Sequence, residues 1–204
     1  MAKEDLTDIV VIDDIVSPTY QRALEEMSIN HTFSWNFNLS NIHQPTATKP
    51  ELFLDENTVQ SYQYTNLLYH SHTHTSSQHI DFVRPLIYTA MDKFSIQTPD
   101  ILRVKANMLT NNRRFQKGKY NLAHIDAVFD HVVVLYYIND SDGDTVIFNE
   151  TYGSRFTELT VKQRISPKKG RAVCFPGKYF HASSNPIEHD TRTVINIDLV
   201  VPTK

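Results

Sequence analysis

Cysteine is almost missing from this chain: Cys174 is the one example among 204 residues. No disulfide can form within the chain, and no thiolate-rich zinc site can be built. Long apolar runs are missing too. VVVLYYI, from Val132 to Ile138, is the longest, far short of the roughly 20 residues with which a helix crosses a bilayer, so no membrane partner is expected. The opening MAKEDLTDIV is acidic and polar, the wrong character for a secretory signal. A reducing, cytoplasmic location is therefore expected. Nor does one sign of charge dominate, since 20 Lys and Arg stand against 23 Asp and Glu, a net charge of −3. No global field favours nucleic acid. Local basic clusters occur at Arg113, Arg114, Lys117 and Lys119, and at Lys162, Arg164, Lys168, Lys169 and Arg171. Mixed surface charge accounts for them without a ligand. Tandem repeats and low-complexity tracts are absent.

What is present is the composition of an ordinary globular protein, in a length that suits a single domain over residues 1–204. DIVVIDDIV reads as a strand. SPTYQRALEEM reads as a helix with Ser17 at its N-cap and Pro18 at its first position, and TFSWNFNL alternates like a strand. From Ser40 to Glu56 the chain is polar and punctuated by Pro45 and Pro50, which predicts a long loop of the kind that often forms a lid. DFVRPLIYTAMDKF places Phe82, Leu86, Ala90 and Phe94 at four-residue steps. That pattern predicts an amphipathic helix with Asp81 at the N-cap and Pro85 in the first turn.

After Pro99 the character changes. ILRVKANML, YNLAHIDAVF, HVVVLYYIN, DTVIFN, LTVKQRIS, GRAVCF and RTVINIDLVV are short β-branched or aromatic runs separated by turn-forming residues. They predict an all-β barrel or sandwich. The expected organisation is a helix-bearing N-terminal support region over 1–100 and a β core over 101–201.

The tripeptide HID occurs twice, at His79–Asp81 and at His124–Asp126. On an extended segment its His and Asp point the same way and could ligate one metal. In the first copy, Asp81 is expected to be committed to capping a helix. The second copy lies between strands, and His181 in FPGKYFHASSN follows at a predicted strand end. Two His and one Asp leave coordination positions open, as in non-heme Fe(II) sites, although zinc accepts similar ligands. Arg192, Val194 and Asn196 share a face of the next strand. A buried guanidinium there demands an anion, and its fork of donors suits a carboxylate. His70, His72 and His74 would share a face if extended and could bind a second metal, but a polar loop with incidental histidines explains them as well. His131 and His189 are not taken as ligands, and Cys174 is expected to be a buried strand residue.

Taken in order, HID, LYYIND, GDT, GRAVCFPG, FHASSN and HDTRTVINI resemble the 2-oxoglutarate- and Fe(II)-dependent oxygenases. The resemblance is to the prolyl-4-hydroxylase-like branch, which includes phage-encoded members, and it spans roughly Ile101 to Val201. It implies a mainly β fold with flanking α, a double-stranded β-helix (a distorted jelly roll) supported by N-terminal helices. It further implies that His124, Asp126 and His181 hold the iron, and that Arg192 and Tyr137 bind the far carboxylate of 2-oxoglutarate. Asn196 and Asn107 would contact the same co-substrate. The implied cofactors are Fe(II), 2-oxoglutarate and O2, with ascorbate as a further one.

The implied reaction is hydroxylation of an organic substrate, with a prolyl residue in a peptide or protein as the leading case, forming succinate and CO2. There are departures from the branch: collagen-type enzymes usually carry Lys at the position of Arg192, Val194 offers no hydroxyl, and Asp198 stands where bulkier or amide residues are common. Small-molecule, free amino acid and nucleic-acid substrates stay open, the last not favoured. So do a non-catalytic metal-binding jelly-roll module and a metal-dependent isomerase or hydrolase.

Overall fold

The computed structural model describes residues 8–39, 54–97, 100–112 and 114–200. The lid expected over Ser40 to Glu56 falls mostly outside these residues, as does Arg113. Strand β1 (Val10–Ile12) leads into helix α1 (Pro18–Ile29), followed by β2 (Asn36–Asn38), β3 (Gln63–His70), β4 (Thr75–Ser76) and helix α2 (Ile80–Lys93). The remainder is β5 (Ile101–Thr110), β6 (His131–Tyr137), β7 (Thr145–Thr151), β8 (Val161–Ile165), β9 (Ala172–Pro176), β10 (Tyr179–Ser183) and β11 (Thr191–Val200).

The strands form two antiparallel sheets. The large one runs β1-β9-β6-β11-β5-β3-β2 with β4 paired to β3, and the small one runs β10-β7-β8. Period-2 alternation gives the large sheet two different faces. One face contributes Val104, Ala106, Val134, Tyr136, Ile195 and Ile197 to a core with Leu24 of α1 and Val83, Leu86, Ile87 and Ala90 of α2. The other turns Val133, Leu135, Tyr137, Val173, Phe175 and Val194 toward Ile147 and Ile165 of the small sheet. This is a mainly β jelly roll with flanking helices, as expected, and the site lies between its sheets.

Helix α1 begins where its residues dictate. Ser17 Oγ accepts from the Tyr20 amide at 3.4 Å, and Pro18 occupies the first position, where no N–H is needed. Helix α2 departs from expectation at its start. His79 is the N-cap residue, while Asp81 is in the first turn and pairs with Arg84 at 2.8 Å. Pro85 is then the sixth helical residue, beyond the first turn, and the Asp81 carbonyl loses its helical donor. Phe82 is 42% exposed and leaves the buried stripe. A four-residue step drifts about 40° on a 3.6-residue helix, so the stripe settles on Val83, Leu86, Ile87 and Ala90. Each fully buried Val, Leu or Ile contributes roughly 1.5–3 kcal/mol.

Two further differences bear on the site. YNLAHIDAVF is not a strand: it makes only isolated bridges, Thr58 with Tyr120 and His124 with His181. His181 lies in the middle of β10 rather than at a strand end. β1 is also shorter than DIVVIDDIV suggests, and β3 is an added strand that pairs with β5.

Candidate metal and co-substrate site

Segment 120–126 attaches to the edge of the small sheet through reciprocal bonds. The His124 amide donates to His181 O at 3.0 Å, and the His181 amide to His124 O at 2.9 Å. Ala123 and Ile125 enter the outer core of that sheet with Val146, Phe148, Phe180 and Ala182. Alternation then turns His124 and Asp126 inward, toward His181. One ligand atom from each of His124, Asp126 and His181 lies within 4.8 Å of the others.

The imidazoles are oriented for lone-pair donation. His124 Nδ1 is 3.3 Å from Leu122 O, and His181 Nδ1 is 3.2 Å from Tyr179 O. A ring nitrogen against a carbonyl carries a proton, which makes Nε2 the ligating atom of each ring; that of His181 already meets the Asp126 carboxylate, at 3.3 Å. Burial, aided by His181, pushes the His124 pKa down to about 3. Burial alone would raise the Asp126 carboxyl, but Arg103 and the two imidazoles hold it well below the ordinary range. A neutral imidazole and an ionised carboxylate are the forms a metal requires.

Asp126 is held on both oxygens. Oδ1 pairs with Arg103 Nη2, and Oδ2 accepts from Asn196 Nδ2 at 3.2 Å while lying 3.3 Å from His181 Nε2. Arg103 also reaches fully buried Asp198, at 2.7 Å. Burial and the Asp126 charge push the Asp198 carboxyl up, with Arg103 opposing.

The far end of the cleft is cationic. Arg192 is 3% exposed; its Nε donates to Gly143 O and its Nη2 to Thr145 Oγ1, both at 2.7 Å. It makes no ion pair with a carboxylate among the described residues. Burial pulls its pKa down, as expected for a desolvated cation that lacks an anion. Gly143 is required here, because a Cβ would lie 2.5 Å from Ser184 O and 3.0 Å from Arg192 Cδ.

Tyr137 does not line the cleft. It is fully buried and donates its hydroxyl to Thr145 Oγ1 at 2.6 Å, so the group presented to a ligand is Thr145. Asn107 and Asn196 both line the cleft, each with a buried Oδ1 that has no partner. The cleft encloses about 510 Å³, open solvent at its mouth included. Lys105, Arg103, Asp198, Thr145 and Gly143 were not anticipated. On β5 the signal was there: polar Arg103, Lys105 and Asn107 alternate with Val104 and Ala106.

The remaining candidates disperse. His70 ends β3, while His72 and His74 lie in the following turn, and no second metal-ligating group occurs among the described residues. His131 is buried, with Nδ1 2.7 Å from Phe129 O, and His189 pairs with Asp142. Cys174 is a buried β9 residue whose thiol burial pushes up. Of the second basic cluster, Lys168 and Arg171 pair with Asp13, Lys169 with Glu25, and Arg164 lies 3.9 Å from Asp144. Lys119 of the first donates to Glu56 O. No helix among the described residues is long and apolar enough to cross a membrane.

No protein-family model matches the sequence, and no curated protein matches it. Solved structures do match. An oxidoreductase of the 2OG-Fe(II) oxygenase family from Burkholderia pseudomallei is 11% identical with a TM-score of 0.61, covering 93% of this chain and 84% of that one. A Trichoplax adhaerens prolyl hydroxylase, in complex with a hypoxia inducible factor oxygen degradation domain peptide fragment, is 12% identical with a TM-score of 0.60, covering 94% and 83%. The epimerase SnoN from nogalamycin biosynthesis, in complex with Fe3+, alpha ketoglutarate and nogalamycin RO, is 10% identical with a TM-score of 0.60, covering 96% and 80%. At these identities the likeness is one of fold.

Proposed function

We propose that the protein is a 2-oxoglutarate- and Fe(II)-dependent dioxygenase that hydroxylates an organic substrate, with succinate and CO2 as the other products. A prolyl residue in a peptide is the leading substrate. One observation carries the reading: in a single cleft, two imidazoles and a carboxylate converge at one end, and a buried guanidinium lacking an anion stands at the other. The donor set fits the ion. Two nitrogens and one oxygen on one side leave positions for further ligands, and the carboxylate is already ionised. Zinc would accept the triad, but the Arg192 anchor is then left without a purpose.

When bound, Fe(II) with 2-oxoglutarate and O2 supplies the oxidation, which couples decarboxylation of the co-substrate to hydroxylation of a C–H bond. The chain's own residues do the rest. His124, Asp126 and His181 would hold the ion, and Arg192 with Thr145 would fix the distal carboxylate, with Tyr137 orienting the Thr145 hydroxyl. Asn196 and Arg103 keep the Asp126 carboxylate aimed. Val194, Leu135 and Leu109 supply apolar wall that excludes water between the two ends. The prolyl preference rests on the resemblance and on the fold shared with the Trichoplax enzyme. The length and composition favour one catalytic domain over 1–204 with its core at 101–201, the lone cysteine suits a reducing, cytoplasmic location, and the resemblance admits ascorbate as an accessory reductant.

Anaerobic titration of the apoprotein with Fe(II) and then 2-oxoglutarate tests this. A visible metal-to-ligand charge-transfer band is expected, and it should be lost in His124→Ala, Asp126→Ala or His181→Ala. Folded, metal-loaded protein without the band would rule out the reading.

A further inference from the structure

Lys105 stands in the cleft without a partner. It lies on β5 directly across the ladder from Asn196 and beside Leu67 of β3, and it lines the same cavity as the triad. Its ammonium makes no hydrogen bond or ion pair among the described residues. Asn196 and Arg192 are four residues apart on β11, roughly 13 Å along a strand. Lys105 therefore belongs to the metal end of the cleft, well away from the Arg192 anchor.

The charges of the loaded site leave this residue over. Fe(II), the Asp126 carboxylate, the 2-oxoglutarate dianion and Arg192 together sum to zero, since a neutral imidazole adds nothing. Arg103 lies 2.7 Å from Asp198, which cancels it when ionised and leaves it in excess when burial keeps that carboxyl protonated. At least one positive charge remains in the cleft, and Lys105 is the cation there with no partner among the described residues. No carboxylate other than Asp126 lines the cleft among the described residues. The co-substrate's proximal carboxylate is already counted against the metal, so a contact with it would still leave the cleft with positive charge in excess. A cation in a partly desolvated cleft gains most from an incoming anion that brings its own charge.

We propose that Lys105 receives a carboxylate of the substrate being oxidised, so that this protein acts on carboxylate-bearing molecules; the proposal rests on the oxygenase reading above. The carboxylate belongs either to a free amino acid or to an acidic side chain flanking the oxidised residue of a peptide. Chemistry at Lys105 is the same in both.

The test uses holoprotein loaded with Fe(II) and 2-oxoglutarate without oxygen, so that nothing turns over. Perturbation of the charge-transfer band is titrated with free L-amino acids, each beside its carboxamide. Capped prolyl peptides are added, with Asp or Glu next to the proline, each beside its Asn or Gln counterpart. At least one carboxylate is expected to bind tenfold or more tightly than its amide, a difference of about 1.4 kcal/mol. Lys105→Met should erase that preference and Lys105→Arg should keep most of it, with 2-oxoglutarate affinity held within about twofold in both. Response to free acids identifies a small-molecule substrate; response to capped acidic peptides alone identifies a peptide. A panel in which no carboxylate outbinds its amide overturns the proposal. So does a Lys105→Met protein that loses 2-oxoglutarate binding, which would assign Lys105 to the co-substrate. A missing band in the parent protein is distinct, because it removes the oxygenase reading itself.

Discussion

Arg103 does two jobs with one nitrogen: Nη2 meets both Asp126 and Asp198. By occupying Asp126 Oδ1 it leaves Oδ2 as the oxygen facing the imidazoles, and its charge keeps the carboxyl ionised against the pull of burial. Removing it strands two carboxylates in a dry site, and breaking a buried pair costs about 3–5 kcal/mol. Arg103→Met is expected to lower the melting temperature and to weaken Ni(II) binding about 10- to 100-fold, the usual effect of losing a residue that orients a ligand. Adding Asp198→Asn should recover part of the stability but not the metal affinity. Calorimetry and Ni(II) titration check both, and parental affinity in Arg103→Met would remove the clamp from the account. Arg103 was legible only as a polar residue on the inner face of ILRVKANML. Nothing local to β5 says that this face meets the HID carboxylate 23 residues on; that is a property of the assembled cleft.

At the level of elements, what the sequence conveyed followed from whether a continuous ladder or scattered bonds hold a segment. β5, β6, β7, β8, β9 and β11 are ladder-paired and β-branched, and all six were readable. The HID segment is held by scattered bonds and not by a ladder: the Asn121 and His124 amides bond to β10, Asp126 is held by Arg103 and Asn196, and the Asn121 side chain by Ser183 O at 2.9 Å and Asn185 Oδ1 at 2.9 Å. Its β-like composition therefore overstated its pairing. β3 was obscured by a register shift between Leu67 and Tyr69, which breaks the alternation that marks a strand. The N-terminal elements are tied to the β8–β9 connection by charge, since Asp13 binds Lys168 at 2.9 Å and Arg171 at 2.6 Å. Those hydrogen bonds lower the Asp13 pKa from 3.8 to about 2. A carboxyl depressed in the folded state stabilises above its unfolded pKa, and that support fades as pH falls from about 4 through 2. Asp13 is 38% exposed on its side chain, so solvent screening limits the effect to about 1 kcal/mol or less. Asp13→Asn should lower the melting temperature slightly at pH 7, and its curve should converge on the parent's near pH 2. A constant offset across that range would show that the pair's charge contributes nothing.

Across the whole molecule, the cleft is shared by two sheets. The ligating imidazoles are carried by the small sheet, His181 on β10 and His124 bridged to it, whereas Arg192 lies on the large one. A metal ion would be held mainly from the small-sheet side, and a dicarboxylate reaching Arg192 would tie that side to the large sheet. Ligation should therefore stabilise the fold in two separable steps. A ligand at 100 times its dissociation constant adds about 2.7 kcal/mol, and in a domain of this size each kcal/mol moves the melting temperature about 2–4 °C. Ni(II), which does not turn over, should raise the melting temperature by several degrees, and 2-oxoglutarate added to the Ni(II) protein should raise it again by a similar amount. His181→Ala should abolish both steps. Arg192→Met should keep the first and lose most of the second, because the ion stays bound while the distal carboxylate keeps only the uncharged Thr145 hydroxyl. A second step that survives Arg192→Met would move the anchor to another residue. A second step seen without metal would mean that the dicarboxylate binds the cations alone, and the chelate at the centre of the proposed reaction would have to be abandoned.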